Sequence, residues 1–124
     1  MKIIDTLINF EDSRGKIIDL VEKRNINAIT FISFNKEAVR ANHYHKKTTQ
    51  WNYLLKGKVR LVTQFGDGPI EEFTLGPGDL VLTAPMEKHA LVGLEDSELL
   101  VFTEGPRGGE EYESDTFRLE TQLV

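Results

Sequence analysis

The chain contains three histidines, and two of them, His43 and His45, flank Tyr44. Side chains alternate faces along a strand, so both imidazoles share one face and Tyr44 takes the other. Imidazoles two residues apart on a strand sit about 6–7 Å from one another and can converge on a single ion. Neutral imidazole is the commonest protein ligand for mid-to-late first-row metals. Gln50 follows shortly after, and its amide oxygen offers a further donor. His89 comes much later, beyond a turn at Gly78-Asp79, placed to close the site from a neighbouring strand. His43, His45, Gln50 and His89 therefore form a candidate site for a divalent transition metal: Zn, Ni, Mn or Fe. The same imidazoles can also act as acids and bases, because their ordinary pKa lies near neutrality. For a lone histidine, a hydrogen-bonded place in a core would be the simpler reading.

The elements that must carry these residues read as strands. Val, Ile, Thr, Phe and Tyr recur in short runs bounded by Gly, Asn, Asp and Pro. The runs are Lys2–Phe10, Lys16–Glu22, Ala28–Phe34, Val39–Tyr44, Trp51–Leu55, Lys58–Gln64, Ile70–Thr74, Leu80–Thr83, His89–Leu94 and Glu98–Thr103. Asp12-Ser13-Arg14-Gly15, Gly66-Asp67-Gly68-Pro69 and Gly76-Pro77-Gly78-Asp79 read as turns. No segment holds a 3.6-residue apolar period over three turns, so little or no helix is expected. Many short, evenly spaced strands imply an all-β sandwich or barrel. Trp51 and Tyr53 share a face as packing residues, opposite Gln50 and Asn52. Lys46-Lys47 reads as a solvated loop. After Thr103 the texture changes to a loop, Gly105-Pro106-Arg107-Gly108-Gly109, and then an acidic run from Glu110 to Asp115. This tail, 105–124, is expected to wrap the barrel or to pack on a partner, with disorder as the alternative and the glutamates a solvated face. Arg107 and Arg118 within it could reach across a dimer.

Composition bounds the rest. The 124 residues suit one domain, 1–124, with one modest core. With 40% hydrophobic and 28% charged residues the balance is that of an ordinary globular chain. A formal charge of −5 argues against a nucleic-acid partner, which needs a surplus of Lys and Arg. The absence of cysteine excludes disulfides, thiolate metal sites and a cysteine nucleophile. No stretch reaches the roughly 20 apolar residues that span a bilayer, so no membrane association is expected. The start, Met1-Lys2-Ile3-Ile4-Asp5, meets charge too early for a signal-peptide core, and a cytoplasmic location is the default expectation. No Gly-rich phosphate loop, serine elbow or helix-borne zinc motif is present.

The spacing around the histidines resembles the cupin family, whose first motif is His-x-His, a Glu shortly after, and then a Gly. Here His43-Tyr44-His45 matches, Gln50 takes the Glu position and Gly57 the closing Gly. The second motif, from Gly to His, is matched by Gly78 and His89. The chain departs from the pattern at Glu37, Ala84, Met86 and Gly93, and above all at the neutral Gln50. A neutral ligand leaves a metal with more net positive charge and weakens the hold on hard ions. The resemblance implies a cupin double-stranded β-helix, or jelly-roll barrel. Three histidines on motif positions also favour a functional site over a structural one.

Within that family, Arg40-Ala41-Asn42-His43-Tyr44-His45-Lys46-Lys47 with Gln50 and Gly57 is similar to the deoxysugar 3,4-ketoisomerases. Arg40 through Tyr44, with the earlier Asp12-Ser13-Arg14-Gly15 turn, also resembles the 4-keto-6-deoxysugar 3,5-epimerases. That likeness implies metal-free acid–base chemistry on a nucleotide sugar. His43 would take a proton next to a ketone, with His45 as its partner or acid. Arg40 would hold phosphate or oxyanion charge. The implied setting is surface-polysaccharide metabolism, the implied ligand a sugar or nucleotide sugar, and the expected assembly a homodimer. Two other readings stay open at this point. One is a metal-dependent cupin oxidoreductase or lyase on another small polar substrate. The other is a non-catalytic, metabolite-binding cupin.

Overall fold

Ser97–Glu104 shows how the sequence makes its sheets: Ser97, Leu99, Val101 and Thr103 are buried, and the residues between them are partly exposed. Such alternation is what a strand with one face on a core requires. The computed structural model describes every residue except Gly108, and for residues 109, 110 and 112 the backbone alone. The Gly108 and Gly109 end of the expected loop, and the side chains of Glu110 and Tyr112, thus lie outside the described residues.

Among the described residues twelve strands run in the order β1 (Lys2–Ile4), β2 (Phe10–Asp12), β3 (Gly15–Ile17), β4 (Ala28–Phe34), β5 (Val39–Tyr44), β6 (Thr49–Lys56), β7 (Val59–Phe65), β8 (Glu71–Leu75), β9 (Leu80–Thr83), β10 (Glu87–Gly93), β11 (Ser97–Glu104) and β12 (Phe117–Arg118). One antiparallel sheet has the order β1-β9-β6-β11-β4, the other β12-β5-β10-β7-β8, and β2-β3 forms a separate hairpin. The two large sheets enclose a core built on Phe34, Leu54, Leu61, Leu75, Val81 and Leu99. This is the all-β jelly roll that the sequence resemblance implied. The turns at 12–15, 66–69 and 76–79 stand where the sequence puts them, the last closed by a backbone bond from Asp79 to Gly76.

Two expected strands are shorter than their apolar runs. The run from Lys2 is a strand only to Ile4, because its partner β9 begins at Leu80, opposite Ile4, and offers no backbone beyond it. The run from Lys16 pairs only to Ile17, where the hairpin with Phe10 ends. A 3-10 helix, Gly109–Asp115, occupies the acidic stretch. The tail then wraps the barrel as expected: β12 adds to β5, with Phe117 opposite Tyr44 and Arg118 opposite His43. Among the described residues no helix is long and apolar enough to cross a membrane.

Candidate functional site

The strand carrying His43 is not regular. Against β10, His43 stands opposite His89, yet Ala90 stands opposite Ala41, so Asn42 is an extra residue without a partner. Ala41 (φ 69°) and Asn42 (φ 57°) both lie in the left-handed region, which side chains other than glycine seldom adopt. Asn42 is held there from outside the sheet. Its Oδ1 accepts from the N–H groups of Leu123 and Val124, its Nδ2 donates to the Val124 carbonyl, and its own carbonyl accepts from Leu119 N–H.

This bulge decides which residues share a face. Plain alternation from an inward His43 would turn Arg40 outward. The extra residue resets the count and puts Arg40 opposite Leu91, which lines the same cavity as His89. Directly opposed residues in an antiparallel pair share a face. Arg40 accordingly lines the cavity, with its guanidinium over the Phe34 ring at 5.4 Å and two N–H donors on the Ser33 carbonyl at 3.2 and 3.0 Å.

The three imidazoles do converge. Ring centroids lie 4.7 Å apart for His43–His45, 4.7 Å for His43–His89 and 5.3 Å for His45–His89. One ring nitrogen from each falls within 4.8 Å of the others. Two rings are oriented by backbone carbonyls: His45 Nδ1 sits 2.7 Å from Asp115 O, and His89 Nδ1 sits 3.0 Å from Glu87 O. A carbonyl only accepts, so each Nδ1 carries the proton and each Nε2 presents a lone pair. Among the described residues His45 Nε2 is buried with no hydrogen-bond partner, an uncommon state for a buried polar atom. Burial pushes His43 down to about 3, helped by the positive fields of neighbouring imidazoles and of Arg118 and Arg107. Burial likewise takes His89 to about 4, outweighing the bond to the Glu87 carbonyl. Both rings are therefore neutral at physiological pH.

Around them lies a cavity of about 330 Å³ whose lining mixes apolar residues, among them Ile32, Phe34, Leu91 and Val101, with polar ones. Gln50 and Asn52 both line it, as their shared face requires. Gln50 donates from its amide nitrogen to Thr103 Oγ1 at 3.3 Å, which leaves the amide oxygen for the cavity. Tyr44 faces away and stacks on Phe117 at 5.3 Å, and Tyr53 does not line the cavity. Lys46 and Lys47 are exposed, and the Lys46 ammonium rests over Phe117. Trp51 is buried, with the Arg24 guanidinium over its ring.

Arg107, Asp115 and Glu87 also belong to this site and carry no motif. Arg107 lines the cavity beside the histidines. Arg118 pairs with Glu113 on the surface. Asp115 ends an acidic run that otherwise reads as solvated, yet it is only 3% exposed. Burial raises its carboxyl, but hydrogen bonds from Thr48, Lys47 and Lys46 win and hold it below the usual range. Glu87 is 1% exposed and pairs with the Met1 ammonium, while its other oxygen accepts from Ala84 N–H.

The donor set suits a first-row divalent ion. Three imidazole nitrogens converge, two of the rings oriented by carbonyls, in a cavity that Gln50 also lines, and among the described residues His45 Nε2 has no other partner. With no carboxylate among these donors, and with Arg40 and Arg107 nearby, an occupied site would be strongly positive.

A family model described as a cupin domain matches residues 30–103. No curated protein matches the chain. Among solved structures, the sugar 3,4-ketoisomerase QdtA of Thermoanaerobacterium thermosaccharolyticum, in complex with TDP, is similar with a TM-score of 0.78 at 21% identity over 95% of this chain and 87% of that one. A 3,4-ketoisomerase from Helicobacter canadensis gives 0.78 at 21% identity, covering 95% and 90%. The dTDP-4-dehydrorhamnose 3,5-epimerase of Sulfolobus tokodaii gives 0.71 at 18%, covering 86% and 70%. At these identities the likeness is one of fold.

Proposed function

The chain belongs to the cupin family, and we propose that it binds a nucleotide sugar and shifts a proton next to the sugar's ketone, at a centre held by His43, His45, His89 and Gln50. The observation that carries this reading is the convergence of three imidazoles in one cavity, His43 and His89 kept neutral by burial, with His45 Nε2 buried and unpartnered among the described residues. Lone pairs aimed at one another repel, so the arrangement favours a cation or a proton between them. The depressed pKa values favour the cation. An imidazole pushed to about 3 has little affinity for a proton, and a general base works best with a pKa near operating pH. A bound Zn, Ni, Mn or Fe ion would supply Lewis-acid polarisation of a ketone oxygen.

The chain's own residues account for recognition. Arg40 and Arg107 bring fixed positive charge to the cavity and suit a phosphate-bearing ligand. Ile32, Phe34, Leu91 and Val101 give the cavity an apolar lining that suits the face of a deoxysugar ring. In the reaction, a base takes the proton from the carbon α to the ketone and the electron pair enters an enolate; with the imidazoles holding a metal that base comes from solvent, and without one it is His43. The proton is returned to the opposite face of the same carbon; in the isomerisation it goes instead to the former carbonyl carbon, while the neighbouring hydroxyl gives up its proton to become the ketone and the former ketone oxygen takes one. No external oxidant or reductant is needed. The named relatives, two sugar 3,4-ketoisomerases and a 3,5-epimerase, support this substrate class.

A second reading keeps the site metal-free, with His43 taking the proton and His45 as its partner. One observation favours it: His43 is partly exposed, whereas His45 and His89 are buried. A lone pair that holds a metal cannot also accept a substrate proton, so elemental analysis separates the two. Protein purified without chelator is expected to hold about one transition-metal ion per chain, and a chain that stays empty on titration overturns the metal centre. Incubation in deuterium oxide with a panel of 4-keto-6-deoxy nucleotide sugars is expected to label the α-carbon. Tight binding with no exchange would instead mark a metabolite-binding protein.

The proposal includes a homodimer. The hairpin β2-β3 exposes Phe10 and Ile17, and a two-stranded hairpin is marginal alone in water. Strand β4 is a sheet edge that exposes Ile29 and Phe31, the kind of edge that soluble proteins normally cover.

A further inference from the structure

Asp115 holds two different things at once. Its carboxylate caps the turn after β5, accepting from Lys46 N–H at 3.0 Å, Lys47 N–H at 2.9 Å and the Thr48 hydroxyl at 2.7 Å. Its backbone carbonyl accepts from His45 Nδ1 at 2.7 Å. The residue thus grips His45 and the three residues that follow it. Asp115, Thr48 and His45 are all buried, at 3%, 2% and 6% exposure, so water does not compete well for these bonds.

The surroundings lock the carbonyl in place. Immediately downstream, β12 pairs with β5, Phe117 stacks on Tyr44 and the Lys46 ammonium sits over the same ring. The chain also passes Thr48 closely at Gly105, where an added Cβ would lie 2.8 Å from Thr48 Oγ1 and 2.9 Å from Thr48 Cα. Thr48 therefore meets both Gly105 and Asp115, the two ends of the segment that also carries Arg107 into the cavity.

We propose that Asp115 is a positioning residue for the site: its side chain anchors the 46–48 turn so that its carbonyl fixes His45 as the Nδ1–H tautomer, with Nε2 aimed into the cavity. The proposal rests on the functional reading above only in that His45 works through Nε2. A surface acidic tail would leave that ring free to rotate and to exchange its proton between nitrogens. Here the ring's acceptor is supplied by a residue 70 positions away.

The test uses the full chain, metal-free and labelled with nitrogen-15 at histidine, with a His45→Gln variant to assign the ring. Long-range proton–nitrogen spectra of the wild type are expected to show Nδ1–H for His45 and for His89. In Asp115→Ala, His45 is expected to become a mixture of tautomers while His89, anchored by Glu87, stays unchanged. Affinity for Co²⁺ is expected to fall by roughly 10-fold or more, the usual cost of losing an outer-shell partner. Asp115→Asn retains one acceptor oxygen and should restore part of both signals. If Asp115→Ala does not fold, Thr48→Val removes one donor to the carboxylate and is expected to move His45 alone in the same direction. A His45 that remains wholly Nδ1–H in the folded variants overturns the proposal. Failure of the wild type to bind Co²⁺ would remove the metal centre, yet the tautomer comparison would still decide the role of Asp115.

Discussion

Between β5 and β10, His43 and His89 face each other as neutral bases, His89 buried and His43 partly so. Their titration has a definite sign. In the unfolded chain each ring takes up a proton near the ordinary 6.5, but in the folded protein only near about 3 and about 4. As pH falls below 6.5 the unfolded state binds more protons, so stability is lost progressively until the folded rings titrate. The stability they contribute is fully present above pH 6.5. The paired carboxylate Glu104, held near 2 chiefly by its bonds to Arg24, departs from an ordinary 4.5 and contributes its losses only below that value. The window from 6.5 to 4.5 therefore belongs largely to the histidines. Metal-free protein is expected to lose thermal stability across it, and His43→Gln is expected to flatten the slope by up to one proton equivalent. Calorimetry over a pH series reads this directly. At this scale the histidines were legible because their spacing and their number are explicit. Asp115 was not, since its effect runs through a backbone carbonyl, and any residue type has one. Nor was Glu87 legible as the residue whose carbonyl orients His89.

Strand β5 depends on a defect. Ala41 sits at φ 69° without any side-chain bond to repay it, whereas Asn42 at φ 57° makes several to the tail. Ala41→Gly should remove the steric cost at that position and stabilise the protein by up to about 1 kcal/mol, less whatever the freer unfolded chain takes back. Asn42→Ala should cost about 2 kcal/mol through the lost bonds to Leu123 and Val124 and the poorer fit of alanine at positive φ. Chemical denaturation of the two variants gives opposite shifts if the bulge is held as described. Strand existence was read well from the sequence: β4, β5 and β9 have the bounds that their apolar runs imply. The bulge was not readable, because Arg40-Ala41-Asn42 carries no glycine to announce it. The overlong strands at Lys2 and Lys16 erred for another reason, since pairing length is set by a partner far away in the sequence.

For the molecule as a whole, the family likeness led to the jelly roll, and alternation in β6 puts Gln50 and Asn52 on one face, which lines the cavity. What the outside of the barrel binds is harder to read, because an exposed apolar strand has the same composition as a buried one. Ile29 and Phe31, at 64% and 57% exposure, lie on the edge strand β4. Sedimentation velocity is expected to show a dimer for the wild type and a shift toward monomer for Phe31→Lys, with the fold retained by circular dichroism. A monomeric wild type would remove the homodimer from the reading.

The clasp at Asp115 bears on how fast the protein becomes competent. His43 and His45 meet His89 only through the long-range pairing of β5 with β10, and His45 gains its acceptor only when the tail returns across 70 residues. Contacts of such sequence separation cost loop-closure entropy before they repay it, and chains dominated by them fold slowly, on the order of milliseconds to seconds. No local fragment can assemble the three imidazoles early. In a refolding experiment the visible absorption of bound Co²⁺ should therefore lag the collapse of the barrel and rise with its last phase, so that the site serves as a clock for the closing of the fold.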